Sequence, residues 1–307
     1  MNKKNFFYHF LWHIYMQCKK YISLAGEFPY KVSKRTFVPS ISKTPEIVVS
    51  LTTYPARKAS ALLAIESILH QTRKPDLIVL YLSKEQFSEN DDEFIRKNKE
   101  KGISVRLVDG DLKPHKKYYY AMKEFPDSNI VTIDDDIIYD KNMINDLYES
   151  HLRCPNSVIA KRVHRIVFSG NGQIKRYSDW QQEYREQIDI PRMDLFATGC
   201  GGVLYPPGCM PDALWDEQGI CSTCLDADDL WLKCFELLGN VPVVLAKSNN
   251  YHLHHVWGTV TNGLSQGNVV DGQNDVQLKR ICDYLDMDFH DYVSEISTNN
   301  VEWNVKR

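Results

Sequence analysis

Three consecutive carboxylates, Asp134-Asp135-Asp136, follow the apolar-rich run Ile130-Val131-Thr132-Ile133 and precede Ile137-Ile138. Like charges crowded at a strand end repel one another unless a cation sits among them. Aspartate oxygens are hard ligands suited to Mg2+ or Mn2+, ions that often share their coordination with diphosphate oxygens. The competing reading is that one Asp caps the helix after Asp140 while the others face water. Apolar residues on both sides favour the cation.

Three further segments could do chemistry. Thr198-Gly199-Cys200-Gly201-Gly202-Val203 has three glycines in four positions, which permits close backbone approach to a ligand or simply makes a tight turn. Asp226-Ala227-Asp228-Asp229-Leu230-Trp231 opens a helical pattern stopped by Gly239. Its acids could cap the helix and favour its dipole, or one could project as a general base. Tyr251-His252-Leu253-His254-His255-Val256-Trp257-Gly258 concentrates three of the ten histidines. Strand alternation would put His252 and His254 on one face and His255 on the other. A neutral imidazole suits Mn2+, although a lone histidine is more often structural.

These segments need a frame. Ile47 to Leu51, Leu77 to Leu82, Ile103 to Val108 and Ile130 to Ile133 read as buried strands. Helical patterns lie between them over 59–70, 93–101 and 116–125. Continuous apolar strands alternating with amphipathic helices predict an α/β fold with a mostly parallel central sheet flanked by helices. Such sheets bind ligands beyond the carboxyl ends of their strands. Two strands end there in polar segments, Thr52-Thr53-Tyr54-Pro55-Ala56-Arg57 and the Asp cluster. The stretch beyond residue 150 is less regular and is expected to complete the sheet and shape the acceptor site.

Composition sets outer bounds. The 307 residues suffice for a real core, and a net charge of −3 gives no sign of a nucleic-acid partner. Residues 1–45 carry eight basic side chains against one acid, Glu27, giving +7 there and −10 elsewhere. Within them Phe6 to Met16 reads FFYHFLWHIYM, too short to span a bilayer and without a small-residue cleavage site. A helix lying on a membrane surface is one reading of residues 1–20; a helix packed on the protein's own body is the other. Of the eight cysteines, Cys221 and Cys224 have zinc-type spacing but lack a second such pair, so reduced cytosolic thiols are expected.

Taken in order, the motifs resemble inverting glycosyltransferases of the GT-A fold. An apolar strand ends in a DxD-type motif, Ile133-Asp134-Asp135-Asp136-Ile137. A glycine-rich acceptor-side loop, Gly199-Cys200-Gly201-Gly202, follows, then Asp228-Asp229-Leu230-Trp231, then a late histidine. Order and spacing are similar to the β-1,3-galactosyltransferase type, whereas Val48-Val49-Ser50-Leu51-Thr52-Thr53-Tyr54 looks more like bacterial polysaccharide-assembly enzymes. The resemblance covers residues 46–260. It implies a GT-A (Rossmann-like) domain over 46–307, with a nucleotide-binding half (46–140) and an acceptor half (141–307), behind a basic segment and linker (1–45).

The resemblance also implies roles. Asp136 would bind Mn2+ or Mg2+ directly, and Asp134 would touch the ribose or a metal-bound water; Asp135 stands between them on the donor side. Thr52, Tyr54 and Arg57 would border the nucleotide, and Lys117 would approach the donor. Gly201 and Gly202 would lie on the acceptor-side loop. Asp229 would deprotonate the acceptor hydroxyl; Asp228 stands where the family usually has Glu, which leaves the base between the two. One of His252, His254 and His255 would be a second metal ligand. The implied activity is transfer of a sugar, from a UDP-sugar or related donor, to a hydroxyl of a glycan or lipid-linked acceptor. The implied setting is bacterial cell-surface polysaccharide synthesis, in the cytoplasm or on the inner face of the cytoplasmic membrane.

Rival readings are weaker on sequence. A haloacid-dehalogenase-type phosphatase carries its D-x-D on the first strand, which here ends Leu51-Thr52-Thr53. A sugar nucleotidyltransferase would carry a glycine-rich loop where Tyr54-Pro55-Ala56-Arg57 stands. A non-catalytic sugar-binding or scaffold protein on the same fold remains the non-enzymatic alternative.

Overall fold

The computed structural model describes residues 35–39, 44–88, 93–256, 258–259 and 272–298. The expectations for residues 1–20, and most of the 24–45 linker, lie outside them.

Eleven strands and eight α-helices are described. The first half runs β1 (Ile47–Thr52), α1 (Lys58–Leu69), β2 (Leu77–Ser83), α2 (Glu93–Glu100), β3 (Ser104–Val108), α3 (Lys116–Glu124) and β4 (Asn129–Thr132). A two-residue strand β5 (Ile137–Ile138) and helix α4 (Met143–Arg153) follow the Asp cluster. The second half has short strands β6 (Val158–Ala160), β7 (Val163–Arg165), β8 (Leu195–Ala197), β9 (Val203–Tyr205), β10 (Val243–Leu245) and β11 (His254–His255). Its helices are α5 (Glu217–Thr223), α6 (Asp228–Leu238), α7 (Gln273–Leu285) and α8 (Phe289–Thr298).

Seven strands form the central sheet in the order β10-β6-β9-β4-β1-β2-β3. The pairs β1/β2, β2/β3, β1/β4 and β6/β10 are parallel, while β9 runs antiparallel to both β4 and β6. The predicted α/β fold with a mostly parallel sheet flanked by helices is what the chain forms. Alternate strand residues bury opposite faces, so neither face can be polar. Val49, Leu51, Leu80 and Val131 pack with Ile65, Phe94 and Leu147 of α1, α2 and α4. Ala160, Val203 and Leu245 pack with Tyr118, Trp231, Phe235 and Ile281 of α3, α6 and α7. The second half thus supplies three of the seven strands.

Chain order reverses at the middle of this sheet: β2 and β3 lie to one side of β1, and β4 returns to the other. The connections leaving the carboxyl ends of β1 and β4 therefore diverge and open a crevice, the place where open α/β sheets bind ligands. Thr53–Arg57 and Asp134–Asp136 are the residues at that crevice. Among the described residues, no helix is long and apolar enough to cross a membrane.

Candidate active site

The three aspartates after β4 are not equivalent. The side chains of Asp134 and Asp136 are 29% and 16% exposed, and that of Asp135 10%. Asp135 is an anchor: it accepts the Thr53 hydroxyl at 2.6 Å and pairs with the Arg57 guanidinium at 3.0 Å. Burial pushes its carboxyl up to about 6, against the pull of Thr53 and Arg57. Asp136 pairs with the same Arg57 nitrogen at 2.7 Å. Burial and Asp134 raise Asp136 above the usual carboxylate range, with Arg57 opposing them. None of the three caps α4, whose N-cap is Asn142.

Asp134 meets a second cation. Lys117, at the start of α3, reaches its Oδ1 at 2.6 Å and stands 2.9 Å from Oδ2 of Asp228. The contact with Asp228 is an ion pair without the angles of a directed hydrogen bond. Burial alone would lower the Lys117 ammonium; Asp134, Asp228 and Asp229 together outweigh it and hold the group well above its usual value. Lys117 is itself anchored, because its carbonyl accepts the Ser50 hydroxyl of β1 at 2.5 Å. One ammonium thus joins the end of β4 to the beginning of α6.

The α6 pair splits along the same lines. Neither Asp228 nor Asp229 caps the helix; the N-cap is Ala227, with no side-chain cap bond. Both acids occupy the first turn, where the helix dipole favours negative charge. Burial works against the Asp228 carboxylate, but Lys117 and His115 bring it below the usual range. Asp229 is driven the other way, by burial and by its neighbour Asp228, with Lys117 opposing. Its two oxygens accept the Gly199 N–H at 3.1 Å each. Buried His115 braces this corner through Tyr118 Oη and the Cys224 carbonyl, both at 2.9 Å.

Gly199, which opens the glycine-rich loop, is the one set against these groups. A Cβ there would stand 2.9 Å from Asp229 Oδ1, 3.0 Å from Lys117 Nζ and 3.7 Å from Asp134 Oδ1. Gly201 and Gly202 face other side chains, and Gly201 also lines a surface cleft. A Cβ on Gly201 would lie 2.7 Å from Arg162 Cβ; Gly202 has φ +88° and faces Met143 Sδ at 2.9 Å.

Other expected site residues are spread more widely. Thr52 turns its hydroxyl away, to the Tyr81 carbonyl of β2 at 2.9 Å, while Thr53 reaches the cluster. Tyr54 is 40% exposed, with Arg57 5.8 Å over its ring. His254 and His255 form β11, antiparallel to β5 and opposite Ile138 and Ile137, and Val256 N–H donates to the Asp136 carbonyl at 2.8 Å. That pairing brings the histidine segment beside the Asp cluster. His252 lies before β11 and lines a shallow cleft with Lys161, Asn250 and Tyr251. Thr53, Gly199 and His115 escaped sequence reasoning as site residues. Thr53 and Gly199 sit inside motifs already noticed, whereas His115 had no local signal.

The charge pattern bears on a metal. Arg57 and Lys117 already offset much of the carboxylate repulsion, so the cluster alone does not demand a bound ion. It still fits one: Asp134 Oδ2 and Asp136 Oδ1 lie outside these ion pairs, on the two more exposed side chains. Among the described residues no three His, Cys, Asp or Glu side chains group as a closed cage. Such a donor set suits Mg2+ or Mn2+, which take one or two carboxylates and complete their shell with substrate phosphates and water.

No family model matches the chain, and no curated protein does. Solved structures similar to it include the mannosyltransferase PcManGT from Pyrobaculum calidifontis, in complex with GDP-Man and Mn2+. There the identity is 13% and the TM-score 0.40, over 78% of this chain and 65% of that one. Residues 1–349 of TarS from S. aureus, in complex with UDP, give 11% identity and a TM-score of 0.41, over 66% of this chain and 59% of that one. The chain spans less than two thirds of the length of either.

Proposed function

We propose that the chain is a glycosyltransferase of the GT-A type that moves a sugar from a nucleotide-sugar donor to a hydroxyl acceptor with inversion. The observation that carries this reading is the double ion pair of Lys117, which draws Asp134 beyond β4 and Asp228 on α6 into one crevice with Asp229. A strand-end carboxylate pair suited to a metal diphosphate and a half-buried carboxylate suited to taking a proton are the two halves such a transfer needs.

The nucleotide would lie over Thr53, Tyr54 and Arg57 beyond β1. Asp136 and Asp134 would hold Mn2+ or Mg2+ jointly with the donor diphosphate, and the ion would supply Lewis-acid stabilisation of the departing phosphate charge. The acceptor oxygen attacks the anomeric carbon as the bond to the diphosphate breaks. Its proton passes to Asp229, held in place by the Gly199 N–H. Asp228, committed to Lys117, keeps that lysine charged and positioned. No covalent intermediate is required.

The acceptor would be a glycan or lipid-linked hydroxyl in bacterial cell-surface polysaccharide synthesis. Residues 1–20, basic and aromatic, would hold the protein against the inner face of the membrane. Deleting them should move the protein from the membrane to the soluble fraction, and unchanged partitioning would remove that part of the proposal. The central test is calorimetry with UDP and Mn2+ followed by screening of nucleotide sugars for metal-dependent hydrolysis. Binding without turnover of any donor would instead favour a sugar-binding scaffold.

A further inference from the structure

Arg162 lies just beyond β6 and beside the glycine-rich loop; its carbonyl accepts the Thr198 N–H at 3.1 Å. Its side chain is 21% exposed, and its five N–H donors are poorly used. Nη1 donates to Thr198 Oγ1 at 3.0 Å and meets the weak acceptor Cys200 Sγ at 3.7 Å. Nη2 stands 3.5 Å from Glu183 Oε1, a long contact to a half-exposed side chain. Nε is buried with no partner.

The remaining neighbour, His164, cannot help. Its Nδ1 accepts the Glu183 N–H at 2.9 Å, so a neutral ring carries its proton on Nε2. That is the atom 3.3 Å from Arg162 Nη1, and the contact sets donor against donor. Burial, with Arg162 adding to it, pushes the imidazole down to about 3, which keeps the ring neutral. A guanidinium left in this state gains strongly from an anion, because its planar fork matches two oxygens at once. Thr198 and Cys200, which Arg162 Nη1 contacts, flank Gly199, whose N–H holds Asp229, so the guanidinium stands beside the loop residue that positions the reacting acid.

We infer that Arg162 is a specificity-determining residue that binds an anionic substituent, a carboxylate or phosphate, carried by a sugar reacting at Asp229. The substituent belongs either to the acceptor or to the donor sugar. The inference rests on the transferase reading and narrows it to charged saccharides.

Binding to the full chain with Mn2+ and UDP present tests the acceptor arm, comparing methyl β-glucuronide and glucose 1-phosphate with methyl β-glucoside. Displacement of UDP by UDP-glucuronate against UDP-glucose tests the donor arm. In one arm an anionic probe should bind about tenfold more tightly than its neutral partner, the worth of a charge-assisted bond. Arg162→Gln should erase that ratio while UDP affinity stays unchanged, and Arg162→Lys should recover only part of it. Glu183→Gln, at a half-exposed position with little risk to folding, removes the competing carboxylate and should raise the ratio. Equal binding of charged and neutral probes in both arms, or a ratio that survives Arg162→Gln, overturns the inference. Loss of UDP binding in the unmodified chain would instead remove the transferase reading itself.

Discussion

Both carboxylate oxygens of Asp229 accept the backbone N–H of Gly199, each at 3.1 Å, which fixes a half-buried acid of raised proton affinity in the crevice. Asp229→Asn preserves shape and removes the base. Transfer should fall by about a hundredfold or more, the usual worth of general-base catalysis, with UDP affinity within twofold. A variant that transfers sugar at the normal rate would remove Asp229 from the mechanism.

The pH dependence follows from the same group. Burial and Asp228 raise Asp229 above the usual carboxylate range, and only its ionised form can accept the acceptor proton. Raising the pH ionises it, so kcat/KM for the acceptor should climb as pH rises through and beyond its raised value. A profile already flat from pH 5 upward would mean that an ordinary carboxylate, or no base, controls the rate.

The glycines of the 198–202 loop should separate activity from stability. Gly199→Ala puts a methyl group against Asp229 and Lys117, whose flexible ends can shift; melting should change little while transfer drops about tenfold or more, as misplaced catalytic groups cause. Gly202→Ala forces a side chain into φ +88° and towards Met143, and should cost about 1–3 kcal/mol of stability. Thermal melts read beside single-turnover rates distinguish the two, and the reverse pattern would show that Gly199 is the structural glycine.

Metal use is tested at Asp136. Asp136→Asn should weaken Mn2+-dependent UDP binding by about tenfold or more, at least the effect of losing a partner around a metal site. Chelation should reduce UDP affinity of the unmodified chain and change that of the variant much less. UDP affinity that is the same for both proteins, with or without chelator, would show that Arg57 and Lys117 alone serve the diphosphate.

Below the site, Lys233 and Glu236 form a buried pair on α6 at 3.2 Å, with both side chains no more than 2% exposed. Burial pushes the Glu236 carboxyl up to about 7, against Lys233. Its folded value exceeds the unfolded one, so the stability linked to its protonated form is present at low pH and lost as pH rises through about 7. Lys233→Met alone should cost about 3 kcal/mol at pH 8 and less at pH 5, where Glu236 is neutral. The double variant with Glu236→Gln should recover most of that loss. Denaturant melts at both pH values decide it, and equal losses at both would show that Glu236 does not titrate in the folded protein.

Much of the frame was legible in the chain. Apolar runs such as Ile47 to Leu51, broken only by Ser50, and Leu77 to Leu82 are best satisfied by a sheet covered on both faces, and they became β1 and β2. The helix stop at residue 239 also held, although the left-handed residue there is Asn240 rather than Gly239. The short strands β6 to β10 were not legible, because three residues carry too little periodicity to identify.

The Asp134-Asp135-Asp136 run by itself determined that charge would collect at a strand end, and acid-rich α6 that a second cluster existed. Only the tertiary structure decided how that charge is balanced. Crowded carboxylates show that compensation is needed, but local sequence does not say what supplies it. Folding brings Arg57 onto Asp135 and Asp136, Lys117 between Asp134 and Asp228, and the Gly199 amide onto Asp229. Each of these partners is distant in sequence. Coulomb energy depends on separation in space, which no spacing of residues along the chain can state.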